Sequence, residues 1–558
     1  MAPPRWLPHS LWCHLKKILL DSQTQLSSWN SVTLTLIMTA SVCFLAMPRT
    51  QTPPSNGFRV ILLVAMCSFA TTDCADAAWI NHGGDLTNRR YAAGEILLNP
   101  LTVRNLALRW SFFAGKDISA TPAVANGVVY FPSWNGYLYA VNAFNGALIW
   151  RQNLSELTGQ SGTGVVVNVT VSRSTPTVDG DLLIVGIYGP AVVIAVARSN
   201  GRLVWSTTLD PCPRVLITGS GTVHMGAYYV GVSSLEEGLP PEQCCTFRGS
   251  VVKLALRTGA MLWKTYMLPD NGGRLGGYAG AAVWGSSPAI DTNRRLVYVA
   301  TGNLYTAPAE VLKCQEEQNN QTAKPIPNNT DCPPGPNLDA DFGEAPMLLT
   351  IRSNGTSRDV AVAVQKSGFA WALDRDNGDI VWLNLAGPGG KEGGGLWGAA
   401  TDGRRVYTNI ANSDRKSFML TPSNQTTTAG AWVALDANTG EIIWSTANPS
   451  NDTAQAPVMV ANNVLFTGSV ASNGPIYAID TNTGNILWTY NTGATVYGGI
   501  SASYGCIYLG NGYTVGLAKF HPTWTPGTSL YAFCIQVPKA SEDKVLSKLG
   551  TPIPHPDL

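Results

Sequence analysis

From about residue 106 to residue 535 the chain is a succession of short apolar runs, bounded by Gly, Pro, Asn or Asp. Within a run, β-branched or aromatic residues alternate with small ones at a period of two, which predicts half-buried strands. The runs come in pairs: ATPAVA at 120–125 with GVVYF at 127–131, STPTV at 174–178 with LLIVG at 182–186, and APVMV at 456–460 with VLFTG at 464–468. Downstream lies a second pair with a recurring signature, an apolar triplet, a turn Gly and a closing Trp. It reads YAVNAFNGALIW at 139–150 and returns through Gly201 to Trp205, Gly259 to Trp263, Gly378 to Trp382, Gly440 to Trp444 and Gly484 to Trp488. The Gly supplies the positive φ of a tight turn, so each copy reads as strand, turn, strand, with the Trp capping the packing. Four strands per unit is a propeller blade; a β-helix or sandwich fits poorly, since those repeats are shorter or lack a Trp at this spacing.

Counting the closing Trp residues predicts eight blades. Six copies are explicit. The interval from Trp263 to Trp382 is about twice the others, so a seventh blade sits there without a signature. The ends of the chain, LALRW at 106–110 and the strands at 498–509 and 529–535, share the eighth, which closes the ring and removes open sheet edges. The blade between Trp263 and Trp382 reads as incomplete. Its opening strands, AVWGSSPAI at 282–290 and LVYVATG at 296–302, are visible, but residues 304–337 contain no β-run and six prolines. Proline removes a ladder donor and is excluded from central strands.

Charge adds little: Lys plus Arg total 37 against 36 for Asp plus Glu, so no global field favours nucleic acid or anionic lipid. The beginning of the chain is different. Residues 32–47 and 60–70 are uncharged apolar runs, the second preceded by Arg59 and leading into CADAA at 74–78. Such a run before small residues is the pattern of a cleaved signal peptide, and both runs fall short of the ~20 residues of a comfortable membrane helix. The expected organisation is therefore an N-terminal extension with signal peptide at 1–78, a propeller at 79–535 and a tail at 536–558, the mature form secreted and without a stable membrane span. Seven Asn-x-Ser/Thr sequons, at Asn153, Asn168, Asn320, Asn328, Asn354, Asn424 and Asn451, suit a glycosylated surface. Seven cysteines remain after residue 78, an odd count that leaves at least one thiol without an intramolecular partner. No CxxCH haem attachment and no zinc spacing occur in the chain.

These signatures, from about Trp79 to Ile535, resemble the repeat of pyrroloquinoline-quinone dehydrogenases and are similar to polyvinyl-alcohol-dehydrogenase-like proteins of plants and bacteria. The resemblance implies an all-β, eight-bladed propeller of quinoprotein alcohol dehydrogenase type, with pyrroloquinoline quinone and Ca²⁺ on the axis. By the same resemblance Trp284 stacks on the quinone, and Asn303 binds Ca²⁺ together with Glu237, for which Glu236 is the alternative. Thr218, Ser234 and Arg173 match positions that meet the quinone's carboxylates. Cys244 and Cys245 match a vicinal disulfide lying against the ring, with separate disulfides or free thiols as the alternatives. Lys366 matches the cation on the ortho-quinone oxygens. Asp341, preferred over Asp339, matches the catalytic base and a metal ligand.

The implied reaction is oxidation of a small-molecule or polymeric alcohol, with hydride passing to the quinone and electrons leaving to an external acceptor. Two other readings compete: a secreted binding scaffold that kept the blades and lost the cofactor, and a hydrolase propeller. The second is disfavoured because no Ser/His/Asp set emerges and only six His exist.

Overall fold

The computed structural model describes residues 15–19, 78–162, 168–240, 242–285, 287–320, 339–353, 355–390 and 392–536. The segment expected to be a signal peptide, residues 60–77, the tail beyond residue 536 and the proline-rich stretch 321–338 lie outside the described residues. The described residues all belong to one compact unit; residues 20–76 fall in a second.

Among the described residues the ring contains seven blades, a correction to the expected eight. The first blade shows the pattern: Ala123–Ala125, Val128–Ser133, Tyr137–Asn142 and Leu148–Asn153 pair antiparallel in sequence order. The third carries an extra short strand, Val215–Leu216. The last blade is built from both ends of the chain: Leu106–Phe113 pairs with Ser529–Ile535, as the repeat count requires. Cys506 and Cys534, facing each other in that blade, are disulfide-bonded.

Between the third blade and the one beginning at Met347–Ser353 stands only a three-stranded sheet. It holds Ala289–Asp291 and Leu296–Ala300, and its third strand, Leu15–Leu19, pairs antiparallel with Leu296–Ala300. The following chain turns away. Leu304–Thr306 pairs instead with Ala279–Gly280, a short strand not expected from the sequence, and Ala309–Asn320 is helical. Its sequence, AEVLKCQEEQNN, is rich in good helix formers and follows Pro308, so local propensity favours a helix over the missing strands. The stunted sheet is tied to the next blade by ion pairs: Arg294 contacts Asp291, Asp359 and Asp376, and Arg375 contacts Asp291 and Asp359, at 2.7–3.1 Å.

The closing Trp locks each blade to its neighbour rather than capping its own. Trp150, Trp205, Trp382 and Trp444 donate from Nε1 to Arg198, Leu256, Ala437 and Thr481 carbonyls, each in the turn of the next blade, at 2.8–2.9 Å. Trp488 reaches across the seam to Leu106 O at 3.0 Å. The indole lies on the turn glycine: a Cβ at Gly440 would stand 2.5 Å from the Trp382 ring, at φ +75°. Trp263, which faces the stunted sheet, makes no such bond among the described residues. Gly440→Ala should therefore destabilise the protein by about 1–3 kcal/mol through overpacking and a strained φ. A thermal unfolding midpoint unchanged from wild type would show that the lock carries no weight.

One further element organises the centre. Residues 79–92 cross one end of the axis as an irregular, turn-containing strap, bonding to the inner strand of blade after blade. Trp79 N donates to Val124 O, Val178 N to Ile80 O, Ile290 N to Leu86 O, Leu348 N to Thr87 O, Thr401 N to Arg89 O and Val460 N to Arg90 O. The stunted sheet is held by the strap like the complete blades.

Candidate active site

In every blade the residues just before the first strand and just after the second emerge at the same end, because the two strands are antiparallel. Trp284 precedes Ala289–Asp291, Asp341 precedes Met347–Ser353, and Asn303 and Lys366 follow Leu296–Ala300 and Thr356–Val364. Glu237 follows Ala227–Ser234 in the third blade. Five side chains scattered along the sequence thus meet over the axis.

Their contacts form one chain. Asn303 Nδ2 donates to Glu237 Oε1 at 3.1 Å, and Asn303 N donates to Asp341 Oδ1 at 2.6 Å. Asp341 Oδ2 accepts from Trp284 Nε1 at 2.9 Å and pairs with Lys366 Nζ at 3.1 Å. Lys366 Nζ also pairs with Asp339 Oδ1 at 2.7 Å and stands 5.5 Å from the Trp284 ring centre. Asp339 and Asp341 therefore share one cation, but Asp341 is buried and Asp339 exposed.

Burial raises the carboxyl of Asp341 above its ordinary value, with Asp339 adding to the effect and Lys366 opposing it. Glu237 is likewise raised by burial and by the charges of Asp341 and Asp339, against its bond from Asn303. Burial works against the charge of Lys366, but Asp341 and Asp339 outweigh it and hold the amine protonated.

The two glutamates after Ser234 divide cleanly. Glu236 is buried and accepts from the amides of Thr246 and Phe247 at 2.7 and 2.9 Å, which pins the loop after the cysteines. Glu237 is left to face Asn303. Ser234 accepts from Glu236 N at 3.0 Å and stays with that loop. Cys244 and Cys245 are bonded to each other as a vicinal disulfide, with Cys245 buried against Glu236 O; Cys212 is the free thiol among the described residues.

Thr218 donates to the backbone O of Trp284 at 2.6 Å, fixing the main chain that carries the indole. Arg173 makes no ion pair with Glu237, Asp339 or Asp341 among the described residues. Its guanidinium lies 4.2 Å from the centre of the Trp397 ring and donates to Tyr513 OH at 3.3 Å, and Trp397 in turn meets Trp284 edge to face at 4.9 Å. Trp397, Tyr497, Tyr513 and Trp524 form an aromatic wall that the sequence reading did not flag. They stand outside the repeat signature, and their only signal is an aromatic residue in a loop between blades.

A hard cation fits the residues present. Asn303 Oδ1 is a buried oxygen with no hydrogen-bond partner, on a residue whose Nδ2 and backbone N meet two carboxylates that desolvation and mutual repulsion push toward protonation. Among the described residues no three His, Cys, Asp or Glu side chains converge to hold a metal, so the protein alone would offer an ion at most the oxygens of Glu237, Asn303 and Asp341. A Ca²⁺ ion, which takes about 6–8 oxygens, would need further ligands from cofactor and water.

The fold is that of a quinoprotein-type propeller, and comparison with known proteins agrees. The chain belongs to the PQQ_2 family, described as outer membrane protein assembly factor BamB, which matches residues 101–384 and 366–518. Polyvinylalcohol dehydrogenase of a Pseudomonas species is 31% identical over 363 residues, covering 60% of this chain and 55% of the relative. Polyvinylalcohol dehydrogenase of Sphingopyxis sp. (strain 113P3) is 27% identical, covering 68% of this chain and 61% of the relative. The chain thus spans a little over half the length of these curated relatives. The quinohemoprotein alcohol dehydrogenase of Comamonas testosteroni superposes with a TM-score of 0.64 at 19% identity, over 84% of this chain and 82% of that one, which shows the fold.

Proposed function

We propose that the protein is a pyrroloquinoline-quinone-dependent alcohol dehydrogenase assisted by Ca²⁺, acting on a small or polymeric alcohol. The observation that carries this reading is the buried, unpartnered Oδ1 of Asn303, a residue bonded through Nδ2 to Glu237 and through its backbone N to Asp341, which also meets Lys366 and Trp284. Glu237, Asn303 and Asp341 would hold the ion; Trp284 and the Cys244–Cys245 ring would bracket the planar cofactor, with Thr218, Ser234 and Arg173 toward its carboxylates. When bound, the quinone supplies a two-electron acceptor and the metal a Lewis acid.

The chain's own groups manage the proton. Asp341 is buried, and its raised carboxyl makes it a better base than an ordinary aspartate, so it takes the alcohol's hydroxyl proton at a carboxylate oxygen. Lys366, held charged by two carboxylates, steadies negative charge developing beside Trp284. The aromatic wall excludes water from the axis. Electrons then leave to an external acceptor.

Adding Ca²⁺ and the quinone to purified protein, then following absorbance and dye-coupled alcohol oxidation, tests the assignment. Neither a spectral change nor turnover would refute it. Calcium should bind Glu237→Gln at least 10-fold more weakly in calorimetry without quinone, because one ionic ligand is lost; unchanged affinity would move the metal elsewhere.

We also propose export. Cleavage before Trp79 would leave the strap intact from its first bond, Trp79 N to Val124 O. Asn168, Asn424 and Asn451 are exposed for glycosylation. N-terminal sequencing of the secreted form should begin near Trp79. A start upstream of Leu15 would instead keep Leu15–Leu19 in the working protein.

A further inference from the structure

We propose that the stunted sheet is a strand-accepting site: Leu15–Leu19 covers it in the full-length chain, and cleavage before Trp79 uncovers it for an extended, apolar peptide segment of a partner protein. The opening step rests on the export reading above and is independent of the dehydrogenase assignment. A complete blade has four strands, whereas this sheet holds two of its own among the described residues, Ala289–Asp291 inside and Leu296–Ala300 outside it. At about 4.8 Å per strand, the two places that a complete blade would fill form a notch roughly 10 Å deep.

The outer edge of Leu296–Ala300 is built as a template. It reads LVYVA, without charge, glycine or proline, and all five residues are buried. Sheet edges are ordinarily blunted by Lys, Pro or a bulge, and this one carries none of them. Leu15–Leu19 lies on it antiparallel, from Leu15 opposite Ala300 to Leu19 opposite Leu296, five residues in continuous register. That strand stands upstream of the apolar run at 60–70, so processing before Trp79 removes it.

Both walls of the notch suit apolar side chains. On one side Tyr229, Lys253 and Trp263 are cross-strand partners in the third blade, and so share the face that Trp263 turns to the stunted sheet. Trp263 is half-buried, whereas Trp150, Trp205, Trp382 and Trp444, which lean on complete blades, are buried. On the other side Ala300 packs with Phe342, Ala363 and Trp371, and Phe369 and Leu383 beside them are only partly covered. Successive side chains of an inserted strand point to opposite walls, so the segment must be apolar on both faces.

The recess decides the kind of partner. A second copy of this chain cannot offer the same edge, because that edge is set back between the same two neighbouring blades. A helix spends its main-chain bonds on itself and cannot extend the ladder. An isolated extended segment fits: its main chain satisfies the N–H and C=O groups of the edge while its side chains fill the walls, as when a peptide adds a strand to a sheet. Leu15–Leu19 is the pattern for it, and a segment that replaces it needs five extended residues to match the register.

Hydrogen exchange and peptide binding, neither of which needs quinone or turnover, test the site. In the full-length chain the outward amides of Leu296–Ala300 should be protected. A Lys17→Pro, Ile18→Pro double variant should exchange them about 10-fold faster or more, with the other blades unchanged. The two positions are adjacent, so one proline falls on a ladder donor. In the secreted form, a synthetic peptide of residues 14–21 should restore protection at 296–300 and raise the unfolding midpoint. The same peptide with both prolines should bind about 10-fold more weakly or worse. Equal exchange in the double variant and wild type would overturn the cover strand. A secreted form that starts near Trp79 yet gains no protection from the peptide would overturn the accepting site and leave export standing. A secreted form that starts upstream of Leu15 would overturn the opening step together with export. None of these results touches the dehydrogenase assignment.

Discussion

Asp341→Asn should lower dye-coupled alcohol oxidation by the cofactor-loaded protein about 10²–10⁴-fold, the range expected when a positioned general base is removed. The substitution preserves shape. Asn Oδ1 can still accept from Asn303 N, which now bonds Asp341 Oδ1 at 2.6 Å. At the other position the amide NH₂ replaces an acceptor that now serves both Trp284 Nε1 and Lys366 Nζ, so Trp284 loses its acceptor and Lys366 keeps only Asp339. The loss should fall on kcat with KM little changed, since the proton moves only in the transition state. Asp339→Asn, which alters an exposed partner of Lys366, should cost far less. A comparable loss at both positions would mean that the pair acts only by neutralising Lys366. A raised KM at unchanged kcat would make Asp341 a binding group rather than the base.

The blades were legible because their physics is local and repeated. A turn that needs positive φ takes Gly, and an indole that must reach the neighbouring turn stands at a fixed distance from that Gly, so YAVNAFNGALIW can be recognised without its partner. What the Trp touches was not legible: its acceptor is a carbonyl of the next blade, tens of residues away, as with Trp150 and Arg198. The blade count failed where the repeat stops. Residues 304–306 and 309–320 carry a short strand and a helix former's composition, and neither supplies the strand pair that a full repeat copy would.

The site was partly legible. Asn303, Asp341 and Lys366 could be placed because they sit at fixed offsets from strands, and Glu237 could be separated from Glu236 only once the amides of Thr246 and Phe247 were seen to occupy the latter. The axial plug gave no warning. His82 and Arg90 belong to a strap without repeat or periodicity, and Glu344 sits in the loop before Met347–Ser353; their burial depends on the whole ring closing over them.

That plug should give the protein a stability maximum between mildly acidic and neutral pH. Glu344 is buried, accepts from Val364 N at 3.0 Å and Ala399 N at 2.5 Å, and its carboxyl is pushed up to about 7, chiefly by burial and against those bonds and Arg90. The folded state therefore holds this proton more tightly than the unfolded chain, whose ordinary value is 4.5. The stabilisation is complete below 4.5 and is lost as pH rises through 7, by on the order of 3 kcal/mol at 1.36 kcal/mol per unit. His82 works in the opposite direction. Burial first, then Arg90, lowers its imidazole from 6.5 to about 3, so its contribution is present above 6.5 and lost as pH falls toward 3. Between these limits neither group carries its full penalty, and the unfolding midpoint should peak there. Glu344→Gln should flatten the fall between pH 5 and pH 8 while leaving the acid limb in place, because groups other than Glu344 titrate equally in both proteins. An alkaline limb as steep in the variant as in wild type would show that Glu344 is not the group being titrated.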